Sequence, residues 1–536
     1  MNADIEWLKT KWGLPDHAVG HVKRLMEEES RGSTACRLEN PPADWGHAAS
    51  GSGSPLVVVR QGAETFLQSR SLHETERELA RRFIEQAAGA SASPPDFESQ
   101  LASVFPQAST GDRQVAAVRL ALTKNLALIT GGPGTGKTYV LARILALLVQ
   151  SGTPASAIRL AAPTGKAAQR MGRAVADSLA KLPATFAGTA EALKAVGCST
   201  LHALLGYNPG TESCRAGNAP AVLILDECSM IDIHLWRAVM NFFPPTGRLV
   251  LLGDPNQLES VGQGNVFAEV AQAAARPPLD SAHIHLTEAR RFLGCPDIQT
   301  LAQALQEGDG EAVAELLQRC RGTASANGVS WIETHGGWLT FSEYPDRIQV
   351  ALENVATAGS PGDALEALEK ICILTAQRQF FVGSRATSDE IQTFFSRRGQ
   401  IRNQPVIINR NDPGTGLRNG SVGVIHQDAD GRSTAYFPSG HGGLDQFPLA
   451  KLPDFSPAWA ITIHRSQGSE YDDVLAILPR EESPLAKREL LYTAVTRAKK
   501  NIWVVGDLES AKKAASTPSD RCSLLNSFYL HARKSS

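Results

Sequence analysis

The sequence predicts an α/β protein with an inserted small β-barrel and an N-terminal, mostly helical domain. Apolar runs of strand length alternate with helical patterns over most of the chain, as expected for parallel sheets covered by helices. From residue 404 to about residue 452 the pattern changes to short β-rich runs separated by Asn-Gly and Asp-Gly pairs, which are typical of tight hairpins. Residues 1–108 show helical periodicity around one short strand at residues 56–59.

These patterns divide the chain into six segments. Residues 1–108 carry no recognisable catalytic set, so we expect a domain that docks onto a partner. An alanine- and proline-rich run at residues 271–278 suggests the end of a first α/β lobe. The remaining expected boundaries are a first lobe at 109–280, a second lobe at 281–403 and 453–510, the inserted barrel at 404–452 and a C-terminal tail at 511–536.

Length and composition limit the class of protein. With 536 residues the chain is too long for one hydrophobic core, and its formal net charge of −2 gives no general sign of nucleic-acid binding. The eight cysteines include no C-x-x-C pair, which argues against a zinc ribbon or an iron–sulfur cluster and favours a reducing compartment. The N-terminus lacks a signal pattern and no apolar run approaches ~18 residues, so we expect a cytoplasmic protein without a membrane segment.

The first lobe contains a phosphate-binding pattern. Residues 131–138 follow an apolar strand, precede a helical run and fit G-x-x-x-x-G-K-[ST]. We expect backbone N–H groups of this loop to face phosphates at a helix start, Lys137 to reach the β- and γ-phosphates, and Thr138 to ligate Mg²⁺. An ordinary glycine-rich turn is the weaker alternative, because the strand–loop–helix context is complete. The expected nucleotide-binding residues are Gly131, Gly132, Pro133, Gly134, Thr135, Gly136, Lys137 and Thr138.

A glutamine precedes this loop at a distance that suits base recognition. Gln114 lies about 17 residues before the loop, at a helix start. A glutamine amide can both donate to and accept from the edge of adenine, although a single solvated glutamine is the usual case. The sequence therefore predicts that the nucleotide is ATP.

Carboxylates follow a second buried strand. The apolar run 221–225 ends in Asp226 and Glu227, and we expect Asp226 to hold Mg²⁺ and Glu227 to accept a proton from the attacking water. Two acidic residues in a solvated turn are the alternative, which the nearby phosphate loop disfavours. The strand at 249–252 leads to Gln257, an amide placed to sense a γ-phosphate at the same edge.

Two arginines of the second lobe are candidates for the transition state. A single arginine at a helix end is most often a surface charge or a C-terminal cap. In a two-lobed protein, however, Arg291 and Arg497 are placed to cross the cleft and neutralise the γ-phosphate.

Taken in order, these motifs resemble those of superfamily 1 helicases, and their residues are most similar to those of the RecD family. The resemblance spans residues 111–507 and includes the segments 200–206, 409–420, 460–470 and 489–498. One departure is Arg465, where the family usually has lysine; the charge is kept but the geometry of donation is not. The family implies two RecA-like lobes, an SH3-like inserted barrel and 5′→3′ movement on single-stranded DNA.

The resemblance also implies partners and DNA contacts. It indicates a heterotrimer with RecB- and RecC-like subunits, acting in double-strand break repair, recombination and degradation of linear DNA. Sequence-independent contacts to DNA phosphates are expected from polar and basic side chains at strand ends. These are Thr164, Lys166, Thr200, His202, Thr462, His464 and Arg465.

Two alternatives stay open at this stage, and nuclease activity is expected elsewhere. In the first alternative the chain is a stand-alone RecD-like helicase. In the second it is a regulatory subunit that binds ATP without turnover. No lysine has an acidic residue two positions before it, so the metal-dependent nuclease pattern is missing and cleavage is expected in a partner subunit.

Overall fold

The computed structural model describes most of the chain and contains four sheets. The described residues are 2–49, 51, 53–90, 96–106, 111–194, 196–215, 217–288, 290–322, 328–334, 339–379, 383–439 and 443–532. The expected boundary between residues 108 and 109 lies outside them. Among the described residues, no helix combines the length and the apolar character that a bilayer span requires.

The N-terminal segment holds a small three-stranded sheet as well as helices. Its strands are antiparallel, in the order β1-β3-β2. Residues from Ile5 to Leu67 form a separate hydrophobic core beneath this sheet. The elements are α1 (Asn2–Trp12), α2 (Val19–Ser30), β1 (Cys36–Leu38), β2 (Leu56–Gln61), β3 (Glu64–Ser69), α3 (Arg70–Ala88) and α4 (Phe97–Val104).

Helix α3 lies on the first lobe, so the independent N-terminal core ends well before residue 108. Phe83 packs edge-on against Trp236 of the lobe, with ring centroids 5.5 Å apart. Arg82 donates to the carbonyl oxygens of Met240 and Phe243 at 2.5 and 2.7 Å. The expected boundary differs because the apolar face of an amphipathic helix does not reveal which unit it covers.

The first lobe is built on a six-stranded parallel sheet in the order β6-β5-β7-β8-β4-β9. Strands β4 and β7 are buried along their whole length, as continuous apolar runs predict for a sheet covered on both faces. The elements are α5 (Arg113–Thr123), β4 (Leu126–Gly131), α6 (Lys137–Gln150), β5 (Ile158–Ala162), α7 (Gly165–Leu179), α8 (Ala187–Leu193), β6 (Cys198–Thr200), α9 (Leu201–Leu205), β7 (Val222–Leu225), α10 (Ile233–Phe242), β8 (Arg248–Gly253), α11 (Val266–Ala273) and β9 (His283–Leu286).

Strand β9 corrects the expected end of this lobe at residue 280. It pairs in parallel with β4, from Leu128 opposite His283 to Gly131 opposite Leu286. The alanine- and proline-rich run therefore ends α11 and turns the chain back into the same sheet. A composition change marks a break between elements and does not by itself mark a break between sheets.

The second lobe begins with helices and two strands of a five-stranded parallel sheet, in the order β10-β19-β18-β11-β17. With the first lobe it confirms the predicted α/β class with two parallel-sheet lobes. The elements before the insertion are α12 (Pro296–Glu307), α13 (Gly310–Arg319), β10 (Gly328–Glu333), α14 (Asp346–Thr357), α15 (Pro361–Leu368), β11 (Ile371–Thr375) and α16 (Ser384–Arg397).

An inserted β domain interrupts the second lobe, as predicted. Its five antiparallel strands have the order β15-β14-β13-β12-β16 and cover a small core that includes Val406, Ile408 and Phe437. The strands are β12 (Asn403–Ile408), β13 (Val422–Gln427), β14 (Ser433–Pro438), β15 (Leu444–Pro448) and β16 (Phe455–Pro457). The insertion therefore extends beyond the expected range 404–452, because β16 returns to pair with β12. Since β15 and β16 form the two ends of the described sheet, a closed SH3-like barrel stays a prediction.

The chain then completes the second lobe and crosses back to the first. The elements are β17 (Ala460–Thr462), α17 (Ile463–Ser466), β18 (Tyr471–Ile477), α18 (Arg488–Val495), β19 (Ala498–Gly506), α19 (Leu508–Ser516) and α20 (Leu525–Ala532). Ala511 and Ala515 of α19 are buried in the core of the second lobe. Leu525 and Tyr529 of α20 are buried in the core of the first lobe. The segment expected as a tail from residue 511 is thus a packed part of both lobes.

Three parts of the chain meet at a pair of buried carboxyl groups. Ser523 of the C-terminal segment donates from a single hydroxyl toward Glu76 of α3 at 2.7 Å and Glu269 of α11 at 2.8 Å. Because that hydroxyl carries one hydrogen, it can donate to only one of the two carboxyl groups at a time. Burial and the adjacent Glu76 carboxylate raise the pKa of Glu269 to about 8.

This pair predicts a pH-dependent stability. The folded state keeps a proton on Glu269 that the unfolded chain releases above its ordinary pKa of roughly 4.3. The stabilisation is therefore complete below that value and is lost as pH rises through about 8. We expect the Tm of the wild-type protein to fall by several degrees more than that of Glu269→Gln between about pH 6 and 9. Parallel Tm curves for the two proteins would show that the proton is not held there.

Candidate nucleotide site between the two lobes

The phosphate loop connects β4 to α6 through a tight turn. Gly134 and Gly136 have φ values of 78° and 90°, a region that side chains rarely adopt. A Cβ atom at Gly136 would lie 2.3 Å from Nε2 of Gln114, so the close approach also requires glycine. The Thr135 hydroxyl donates to the Gly132 carbonyl at 2.8 Å and tightens the turn. Helix α6 begins at Lys137, directly after this turn.

Lys137 lies over the loop that it follows. Its Nζ donates to the carbonyl oxygens of Gly131 and Gly132, at 2.6 and 3.1 Å. Thr138, the second residue of α6, lines the adjoining cavity. An ammonium group and a helix start at one point form an anion-binding site.

Asp226 and Glu227 follow β7 opposite this loop. The backbone N–H of Glu227 donates to Oδ1 of Asp226 at 2.8 Å, and Glu227 itself has a φ of 53°. Such a conformation is strained for a residue other than glycine. Burial and the Glu227 carboxylate raise the pKa of Asp226 to about 6, while Lys137 opposes this shift. A divalent cation beside Asp226 would offset the same unfavourable charge, so the residues suit Mg²⁺.

A cavity of about 260 Å³ lies between these elements and the second lobe. Its walls bring together Lys137, Asp226, Glu227, Gln257, Arg291 and Arg497, which include all six residues expected to act in catalysis. The remaining lining residues are Pro133, Gly134, Gly136, Thr138, Ala167, Arg170, Met171, Ala174, Gly468 and Glu470.

The two expected arginines reach the cavity in different ways. Arg497 is only 2% exposed, and its guanidinium donates to the carbonyl oxygens of Thr493 and Ser469, each at 3.1 Å. Arg291 packs against the tip of the phosphate loop, where its Cβ lies 2.3 Å from the position that a Cβ at Gly134 would take. Its Nη2 pairs with Glu470 at 2.8 Å. Arg291 therefore faces the phosphate loop.

Gln257 belongs to a network that joins the two lobes. Its Nε2 donates to Asp254 at 3.3 Å, and the hydroxyl of Tyr492 donates to the same carboxylate oxygen at 2.8 Å. Nearby, the N–H of Leu258 donates to Thr493 at 2.8 Å. The edge of the first sheet is thereby bonded to α18, which leads into Arg497.

Gln114 lies beside the phosphate loop. Its Nε2 donates to the Thr135 carbonyl at 3.0 Å, and the side chain of Asp112 caps the start of α5. The residue is 7% exposed and supports the loop directly. Recognition of adenine by Gln114 stays a prediction.

Three of the residues expected to bind DNA share one structural role. Thr164, Thr200 and Thr462 each precede a helix and accept a hydrogen bond from the N–H three residues later, at 3.2 to 3.3 Å. Thr164 and Thr200 stand at the same sheet edge, because β5 and β6 are paired there. Each hydroxyl therefore caps the local turn that any contact to a DNA phosphate would use.

The four basic residues expected to bind DNA each have a different environment. Lys166 lies 5.9 Å above the ring of Tyr471 in the second lobe, and Arg465 donates to Asn409 of the inserted domain at 3.0 Å. His202 lies beside Tyr207, with ring centroids 5.6 Å apart, and burial lowers the pKa of His464. Contacts of these four side chains to DNA stay predictions.

Sequence reasoning missed three side chains that the fold places at this site. Arg170 lies on α7, Glu470 precedes β18, and Tyr492 lies in the 489–498 block that also carries Arg497. Glu470 and Tyr492 lie within motif blocks, and this position could have identified them as candidate site residues. Arg170 carries no such signal, because it meets Glu470 only when the two lobes come together.

Comparisons with known proteins match both lobes. The AAA domain family matches residues 109–324, and the UvrD-like helicase C-terminal domain family matches residues 457–505. RecBCD enzyme subunit RecD of Mycobacterium tuberculosis is 33% identical over 500 residues, covering 90% of this chain and 84% of that protein. The subunit of the same name from Mycolicibacterium smegmatis is 32% identical over 526 residues, covering 92% and 90%. The ATP-dependent RecD2 DNA helicase of Deinococcus radiodurans is 29% identical over 401 residues, covering 73% of this chain and 48% of its own length.

Proposed function

The chain belongs to the RecD family, and on that premise we propose that it is an ATP-driven 5′→3′ helicase of single-stranded DNA, working as the RecD-type subunit of a RecBCD complex. The observation that carries this proposal is the cavity between the lobes. It combines a phosphate loop and two carboxylates of the first lobe with two arginines from beyond it. ATP hydrolysis at the boundary between two lobes changes the strength of the interaction between them.

Each side chain of the cavity has a distinct task toward ATP. Lys137 and the N–H groups at the start of α6 bind the phosphates, and Glu227 accepts the proton of the attacking water. Arg291 and Arg497 neutralise charge that develops on the γ-phosphate, and Gln257 senses its presence. Thr138 and Asp226 would hold Mg²⁺, which when bound supplies further positive charge to the phosphates.

Coupling to DNA follows from the bonds between the lobes. The loop after β8 is bonded to α18 by Tyr492 and Thr493, and Gln467 donates to the Leu258 carbonyl at 3.0 Å. Gln467 lies in the 460–470 block that also carries Thr462, His464 and Arg465. We therefore expect hydrolysis to move that block relative to Thr164 and Lys166, so that DNA phosphates are passed between the two lobes.

Assembly with RecB- and RecC-like subunits is the finer part of the proposal. Two mycobacterial relatives with RecBCD subunit names match at least 90% of the chain, so the likeness includes most of the N-terminal part. Nuclease activity would belong to a partner subunit. The second candidate, a stand-alone helicase, is favoured by the Deinococcus radiodurans relative. A silent regulatory subunit is disfavoured, because Lys137, Asp226, Glu227 and Arg497 share one cavity.

ATP turnover of the purified chain tests the proposal. We expect Mg²⁺-dependent hydrolysis that single-stranded DNA stimulates, without release of acid-soluble nucleotide from linear DNA. Purification from the native cell, followed by mass measurement, separates the candidates: a heterotrimer supports the RecBCD subunit, and a monomer supports the stand-alone helicase. Absence of DNA-stimulated turnover would contradict both.

A further inference from the structure

Arg170 and Glu470 form an ion pair in the wall of the nucleotide cavity and have no assigned role. Arg170 comes from α7 of the first lobe, and Glu470 comes from the turn before β18 of the second lobe. The same carboxylate oxygen of Glu470 also pairs with Arg291. One acceptor therefore holds two guanidinium groups that reach the cavity from different segments.

This arrangement keeps positive charge concentrated at one end of the cavity. Burial opposes the ionisation of Glu470, but Arg291 and Arg170 outweigh it and lower the pKa of this carboxyl group to about 2. Burial likewise opposes the charge of Arg170, yet its pKa is raised by Glu470 and also by Glu227 and Asp226. The Arg170 guanidinium thus lies within electrostatic reach of the two carboxylates that follow β7.

Unpartnered polar atoms in the same wall point toward a ligand. Nη1 of Arg291 is buried and has no hydrogen-bond partner among the described residues, and the same is true of Oε1 of Gln257. A buried guanidinium nitrogen without an acceptor is costly, so an anion at this place satisfies it. The phosphate-loop tip lies against Arg291, and Glu227 and Gln257 line the same cavity, so the terminal phosphate of a nucleoside triphosphate suits this place.

We propose that Arg170 is a third arginine that contacts the γ-phosphate, contributed by the first lobe, and that Glu470 is a positioning residue that holds Arg170 and Arg291 together across the lobe boundary. This inference rests on the proposed function and deepens it. Without Glu470, two guanidinium groups at the same place repel each other and lose their common orientation. With Glu470 in place, the guanidinium groups of Arg170 and Arg291 are oriented before the phosphate binds. The γ-phosphate oxygens then accept hydrogen bonds from donors that Glu470 has aligned.

The test compares Arg170→Met with Arg173→Met, a matched control, because Arg173 is exposed on the same helix. For each protein we measure the Kd for ADP and for the non-hydrolysable analogue adenylyl imidodiphosphate, together with kcat and KM for ATP. We expect Arg170→Met to lose about 10-fold or more in kcat and in its preference for the triphosphate analogue over ADP. Arg170→Lys restores part of that preference, and Arg173→Met behaves as the wild type.

Glu470→Gln provides the second arm, because it keeps the shape and removes the charge. We expect a loss of about 10-fold in kcat, and we expect the double variant Arg170→Met/Glu470→Gln to be little worse than the poorer single variant. Equal nucleotide preference in Arg170→Met and Arg173→Met would overturn the phosphate contact, and multiplicative losses in the double variant would overturn the positioning role. A wild-type chain without ATP turnover would instead refute the proposed function.

Discussion

Replacing Lys137 with alanine is expected to lower kcat for ATP hydrolysis by about 10²-fold or more and to leave the fold intact. The ammonium group bonds only to the carbonyl oxygens of Gly131 and Gly132 among the described residues, so it has no packing role to lose. Its charge also offsets those of the buried Asp226 and Asp254 carboxylates. Its removal leaves the transferred phosphate facing that negative charge.

Steady-state ATP turnover measures this effect, with circular dichroism as the check on folding. Lys181→Ala is the matched control, since Lys181 is exposed just beyond the end of α7. The control should keep wild-type turnover. Near-normal kcat in Lys137→Ala would show that the phosphate loop does not serve hydrolysis.

Glu227→Gln and Asp226→Asn are expected to fail in different ways. The amide of Glu227→Gln cannot accept a proton from water, so kcat should fall by roughly 10²–10⁴-fold while nucleotide and Mg²⁺ still bind. Asp226→Asn removes the carboxylate that we propose holds Mg²⁺, so it should raise the Mg²⁺ concentration needed for nucleotide binding. Titrating Mg²⁺ while following nucleotide binding distinguishes the two. Identical titrations for both variants would refute this division of roles.

The strands of both lobes could be predicted because the apolar residues of the local sequence indicate their burial. Strands β4, β7 and β8 are largely apolar runs, and the segment that follows each strand contributes residues to the cavity wall. The positions of the phosphate loop, Asp226 and Arg497 at strand or helix ends could be predicted for the same reason. Their chemistry depends on residue type at a strand end or helix end.

What the sequence could not supply depends on contacts between distant segments. Glu470 pairs with Arg170, which lies 300 residues earlier in the chain, and no local pattern encodes that meeting. Helix α3 shows an amphipathic pattern, but only the fold reveals that Phe83 covers Trp236 of the first lobe. Strand β1 has three residues, too few for a period to be recognised.

Directional movement on single-stranded DNA is the sharpest test of ATP-driven 5′→3′ translocation by this chain. The purified chain is given ATP, Mg²⁺ and oligonucleotides that carry streptavidin on a biotin at either the 3′ end or the 5′ end. We expect ATP-dependent displacement of streptavidin from the 3′ end, none from the 5′ end, and none by Lys137→Ala. Displacement from the 5′ end, or displacement that persists in Lys137→Ala, would contradict ATP-driven 5′→3′ translocation.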